Sequence, residues 1–396
     1  MDYKTHRNFT GLLVSVLMIT GFGCGSGGDD TSAIKKENGV IYNPSVGLLQ
    51  DEEAPVEFEL VETIDLSMIE EPVISNVGYL QIDDEGNFYF IDRRLSKLIS
   101  LDPEGNLRWA VGEEGKGPGD LESPFGMSLY KDKLYISNVQ GSRLDEFDLS
   151  GNFIKTYDLP EDMRFASMVG IRDDGKVLMS GANYGAVGAL VYTMEISDSL
   201  RVISDFKITE TEADEYSRAT LWGGFAMQED GFYYSFGTDY TFQMYDYDGN
   251  LKTEVQREFD GTLGPGIYTS ENSVSLYGLG SIGSPIFLNS DLYLIQVEHP
   301  VNIDDPHAYA RRASTGDTES PIYEHFMDVY NADHELLYTF EDSDFVEGLG
   351  SLSVRDDEGY YYSVFSSDLL IKKYQVNTKY EGSEMKGMTQ FLLLIK

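Results

Sequence analysis

The chain has 396 residues, enough for one large β domain, and 41% of them are hydrophobic, enough for a sizeable core. Its 68 acidic against 29 basic side chains leave a formal charge of −39, a surface that repels phosphates and so excludes nucleic-acid binding. One cysteine excludes a disulfide framework within the chain, and 27 Tyr with 21 Phe favour pleated, half-buried surfaces.

Residues 1–23 read as an export signal. Lys4 and Arg7 make a short basic start, and 9–23 is apolar or small. That run is shorter than the ~20 apolar residues a membrane-spanning helix needs, and it matches the hydrophobic segment of a secretory signal. Cys24 follows Gly21-Phe22-Gly23. The junction resembles a bacterial lipobox, departing from it where Gly21 replaces the usual Leu. The resemblance implies lipidation of Cys24 and a membrane anchor of acyl chains. The polar, Gly-rich stretch behind it makes 24–55 an expected flexible tether. Asp29-Asp30 is similar to the acidic export signals of some outer-membrane lipoproteins, which implies an outer-membrane location, either surface-exposed or facing the periplasm.

From 56 to 380 short aromatic runs alternate with Gly, Asn and Asp turns. Residues 56–66 alternate in strand fashion but begin no unit of their own. The first full unit, 79–111, predicts strands at 79–83, 88–91, 97–101 and 107–111, with turns at 84–87 and 103–106. Five more units follow, turning at 131–133 and 150–152, 173–175 and 198–199, 229–231 and 248–250, 289–291 and 332–334, and 356–359 and 377. Gly, Asn and Asp suit these positions because tight hairpins require positive φ. No helical period is sustained over twelve residues. Four-stranded units at this spacing predict an all-β, six-bladed propeller, with seven blades the alternative. The strand at 56–66 is expected to complete the terminal blade and close the ring. The segment 300–320 interrupts the fifth unit, and 381–396 is left as a tail.

The stretch 112–153 resembles the bacterial six-bladed propeller lipoproteins, relatives of the NHL and TolB-like propellers. Gly117-Pro118-Gly119, Leu134-Tyr135-Ile136-Ser137-Asn138 and Arg143-Leu144-Asp145-Glu146-Phe147-Asp148 carry the likeness, with Asn138 in place of the family's common Asp. It implies a fold and an export route, and no settled activity.

Motifs for chemistry are sparse. The Gly-rich 112–120 lacks the Gly-Lys-Ser/Thr of a phosphate loop, because Gly117 follows Lys116. The five His form no zinc-binding spacing, the Asp-rich turns lack the ligand alternation of a calcium loop, and no Gly-x-Ser-x-Gly elbow occurs. No catalytic residue, metal or cofactor is expected. Ligand contacts are expected instead from Arg93, Arg94, Asn138, Tyr184 and Asp239 on loops at one mouth of the ring, and from His299, Arg311 and Arg312 in the insertion. Arg binds carboxylates and phosphates bidentately, which makes both Arg pairs candidates, although solvated loop charges are the plainer reading of each. The expected function is a non-catalytic binding or scaffold module for a protein, peptide or glycan at the cell envelope. The alternatives are a lyase or hydrolase with its site in the central channel and a periplasmic, TolB-like assembly factor.

Overall fold

The computed structural model describes residues 33–380 apart from 139–140, 162–163, 173, 183–188, 209–224, 236–238, 271–273, 279, 346–347 and 349. The chain forms a six-bladed propeller of four-stranded antiparallel blades. Blade 1 consists of Gly78–Ile82, Phe88–Asp92, Lys97–Leu101 and Leu107–Val111. Blade 2 consists of Pro124–Tyr130, Lys133–Asn138, Arg143–Asp148 and Phe153–Asp158. Blade 3 follows as Arg164–Ile171, Lys176–Ala182, Ala189–Ile196 and Leu200–Ile208, and blade 4 as Phe225–Met227, Gly231–Ser235, Thr241–Asp246 and Leu251–Arg257. Blade 5 has a divided inner strand, Ser281–Ile282 and Ile286–Phe287, then Leu292–Pro300, Tyr323–Asn331 and Leu336–Glu341. Blade 6 contributes Ser351–Arg355, Tyr361–Phe365 and Leu370–Thr378. Its fourth strand is the early segment Val56–Asp65, paired from Leu370↔Asp65 to Thr378↔Val56. The ring is thus closed by the two ends of the propeller, as the sequence predicts.

Period-2 alternation explains why the blades stack. In Phe88–Asp92 every residue is buried. Phe88 and Phe90 face Tyr362 and Val364 of blade 6, while Tyr89 and Ile91 face Leu134 and Ile136 of blade 2. One strand therefore fills two interfaces, and neither can be hidden without a neighbouring blade. Blade 3 repeats the device: Val177 and Met179 pack toward blade 2, and Leu178 toward Phe232 and Tyr234 of blade 4. Each such large side chain contributes about 1.5–3 kcal/mol by leaving water.

The turns share one mechanism. Asp102 accepts from the backbone N–H of Asn106 at 2.7 Å and from its amide Nδ2, and Gly105 between them has φ +85°. The same loop recurs at Asp83–Asn87, Asp148–Asn152 and Asp246–Asn250. The aspartate that begins each turn was missed by the sequence reading, which recognised only the residues after it.

The expected tether 24–55 requires correction. Residues up to 32 lie outside the described ones, Cys24 included, but from Lys35 onward the segment is bound. Lys35–Glu37 and Val40–Asn43 form a hairpin whose second strand runs parallel to Leu251–Arg257 on the outside of blade 4. The Asn43 side chain donates to His334 O and accepts from Leu336 N, reaching blade 5. Leu48 and Leu49 then donate to Leu336 O and Leu337 O, and the Gln50 amide grips both backbone groups of Thr339. Gly47 lies so close that a Cβ would come within 2.4 Å of Leu337 O. Backbone and amide bonds to blades 4 and 5 hold this strap, with Leu49 and Ala54 packed against the core between blades 5 and 6.

Candidate functional site

Strand connectivity gives the ring two unlike faces. In an antiparallel meander the connections alternate sides, so the Asp/Gly/Asn turns all fall on one face, the turn face. The links between blades and the middle loop of each blade fall on the other, the loop face. On the turn face each blade's first hairpin presents at least one exposed acid, among them Asp84, Asp132, Asp174, Asp230, Asp291 and Asp357. Asp357, and then Asp132, raise the Asp84 carboxyl by like-charge repulsion. Among the described residues, no three His, Cys, Asp or Glu side chains are grouped to hold a metal ion.

The loop face carries the insertion. Asp305 caps a helix, Pro306–Ala313, accepting from Ala308 N at 2.8 Å, with Pro306 in the first turn. The helix rests on a hairpin, Pro265–Thr269 with Val274–Gly278, that precedes blade 5. Gly266 permits the approach, since a Cβ there would lie 2.2 Å from Pro306 O. Tyr309, Ile303, Tyr277 and Ala313 fill the joint, and Thr262 Oγ1 donates to Ile303 O. Sequence reading missed both elements. The Asp305-Pro306 start was visible, but eight residues are too few to establish a helical period.

Arg311 and Arg312 lie exposed in the last turn of this helix, where basic side chains favour its dipole, and Arg311 Nη2 is 4.0 Å from Asp305. Arg93 and Arg94 are exposed on the middle loop of blade 1, with the Arg93 guanidinium 4.2 Å over the Phe125 ring. Asp239 is exposed before the third strand of blade 4; crowding raises its carboxyl, opposed by Thr241. His299 is half-buried against Phe259 and Phe326, at 5.1 and 5.8 Å between ring centres. Burial keeps its imidazole below the usual pKa, which favours the neutral ring. Tyr184 lies outside the described residues.

Asn138 is a correction. Expected at the mouth, it is fully buried: its Oδ1 accepts from Glu122 N and its Nδ2 donates to Asp145. Asp145 also pairs with Arg143 and accepts from Thr156. Asp92, at the equivalent strand end of blade 1, accepts from the N–H groups of Ser75, Asn76, Arg94 and Leu95. Both side chains staple a link between blades rather than meet a ligand.

A second buried polar group escaped sequence reading because its members are far apart in the chain. Asp328 sits between blades 4 and 5, 3.2 Å from Arg257 Nε, and accepts from Tyr240 Oη and from Thr339 Oγ1. Burial pushes the Asp328 carboxyl up while Arg257 pulls it down. Arg257 lies over Phe326 at 4.9 Å and donates to Ser45 O, so it also fastens the strap.

No family model matches the chain, and no curated protein matches it. Among solved structures, a member of the DUF4221 family from Bacteroides vulgatus overlays with a TM-score of 0.55 at 11% identity, covering 83% of this chain and 100% of that one. An exported protein of Bacteroides fragilis gives 0.54 at 13% identity, covering 86% and 100%. A streptogramin B lyase reaches only 0.42 at 10% identity, covering 75% and 78%, an overlap too slight to bear on chemistry. The likeness is one of fold: this chain is a six-bladed propeller whose structural neighbours include a DUF4221 protein and an exported Bacteroides protein.

Proposed function

We propose that the protein is a binding module of the cell envelope, anchored through lipidated Cys24, which takes a carboxylate-bearing protein, peptide or glycan on its loop face. The asymmetry of the two faces carries this reading. The turn face is built of short hairpins, whereas the loop face bears a helix–hairpin cap that exposes Arg311 and Arg312 side by side, with Asp304, Asp305, Asp317 and Glu319 around them, on a chain of charge −39. Guanidinium groups there suit a carboxylate partner, and the acidic remainder steers such a partner toward the cap by repelling it elsewhere. The exported neighbour is consistent with an extracytoplasmic place.

A photo-crosslinking residue at position 312 on intact cells is expected to capture an envelope component that the same residue at position 248, on the turn face, does not. Equal capture at both positions, or none at 312, would overturn the reading. Anchoring is tested separately: labelled palmitate is expected to enter the wild-type chain and not Cys24→Ser.

A further inference from the structure

Outer strands in this ring differ in what covers them. Leu251–Arg257 of blade 4 carries Val40–Asn43, and Leu336–Glu341 of blade 5 carries the strap at Leu48–Gln50. Val56–Asp65 of blade 6 is the last strand of its sheet, and among the described residues nothing pairs with its outer edge. Leu60 and Val61 on it are 47% and 49% exposed, Val61 falling where the register slips opposite Lys373 and Tyr374. Unpaired backbone groups beside exposed aliphatic side chains form a template for one more strand.

The chain passes this edge on its way out of the propeller. Thr378 pairs with Val56, and Lys379 N donates to Pro55 O at 2.8 Å. The Lys379 ammonium bridges Glu53 and Glu57 at 2.7 and 3.1 Å, and Tyr380 packs in the cluster that holds Phe58 and Val376. The last described residues, Lys379 and Tyr380, therefore leave the propeller beside the beginning of the bare strand. Residues 381–390 are mostly polar, with Met385 and Met388 among them, and contain Gly382 and Gly387; 391–395 read Phe-Leu-Leu-Leu-Ile, and Lys396 follows. Ten extended residues reach about 33 Å, enough to cross the start of the strand and turn once. One reversal after Leu370–Thr378 sends the chain parallel to Val56–Asp65, the geometry Val40–Asn43 already adopts on blade 4.

Charge favours this occupant over a second copy. Glu57, Glu59 and Glu62 are exposed along the strand. At its far end Glu62, Glu70, Glu71 and Glu104 border a cleft of about 460 Å³ with no Lys or Arg in its lining. Residues 385–396 contain Lys386 and Lys396 and no acidic side chain, whereas another whole chain would bring a further net charge of −39.

We propose that residues 391–395 add to the outer edge of blade 6 as a parallel fifth strand, covering Leu60 and Val61 and bringing Lys396 to the acidic cleft. Amide hydrogen exchange of the full chain tests it. Exchange over 57–62 is expected to be at least tenfold slower than in the chain ending at Tyr380, and slower to the same degree than in Leu393→Asp, which keeps the full length of the chain. Equal rates in all three would overturn the proposal. In a Cys24→Ser background, Val61→Cys with Leu393→Cys is expected to oxidise to a disulfide within one chain. Disulfide dimers would instead make a second copy the occupant. Binding of the full chain to neutral phosphatidylcholine vesicles through 391–395, with 57–62 unprotected, would make a membrane surface the occupant. Either result refutes it.

Discussion

Asp328 and Arg257 show what single residues hold at stake in this ring. The carboxylate is fully buried and the guanidinium 6% exposed, so neither is solvated once its partner is gone. Asp328→Ala is expected to cost about 3–5 kcal/mol, because it strands a buried charge. Tyr240→Phe, which removes one hydrogen bond to the same carboxylate, is expected to cost about 1 kcal/mol. Urea unfolding of both variants checks the order. His334 adds a pH dependence. Its ring is buried beside Tyr293, with Nδ1 3.0 Å from the Tyr293 hydroxyl, and burial lowers its pKa from 6.5 to about 4, Asp333 opposing and Lys36 assisting. The folded state holds the neutral ring, so this contribution is complete above pH 6.5 and is lost as pH falls from 6.5 toward 4. The loss amounts to roughly 3 kcal/mol. In His334→Asn, whose side chain tolerates the φ of +62° there, stability is expected to fall less steeply over that window. Chemical denaturation at pH 7, 5.5 and 4 measures it.

Among the elements, the N-terminal strap and the hairpin turns differ most in how readily they are read. The turns announce themselves: Gly105, Gly151 and Gly249 sit at φ +82° to +85° in Asp-x-x-Gly-Asn loops, and their spacing places nearly every strand. In blade 1 the predicted strands at 97–101 and 107–111 coincide with those observed. The strap was read as a tether because residues 35–55 carry no apolar alternation. Its bonds are made by backbone groups, Asn43 and Gln50 to residues about 290 positions away, and no local pattern records such partners. Asn138 was misplaced for a related reason: a polar residue at a strand end looks alike whether it meets a ligand or a buried Asp145. Gly47→Ala would press a methyl group against the blade 5 backbone. It is expected to lift the strap and destabilise the protein by about 1–3 kcal/mol, with faster exchange of the Leu48 and Leu49 amides, which donate to Leu336 O and Leu337 O, than in the wild type.

At the scale of the whole molecule, charge opposes the fold that burial favours. A compact ring of charge −39 repels itself, and the exposed acids of the first hairpins, one or more to each blade, concentrate that repulsion on the turn face. Raising ionic strength from 10 to 150 mM shortens the screening length from about 30 to 8 Å. The melting temperature is therefore expected to rise by several degrees over that range, and to rise less in a variant with Asp84, Asp132, Asp174, Asp230, Asp291 and Asp357 made Asn. A differential scanning measurement decides it.

The route of the strap has a mechanical consequence. A tug on the chain upstream of residue 33 reaches the hairpin on blade 4 first, and it must strip Lys35–Asn43 and then the grip of Gln50 on Thr339 before any load falls on Val56–Asp65. The seam that shuts the ring lies behind these sacrificial attachments, so tension on the chain upstream of residue 33 is spent at the rim before it reaches the seam.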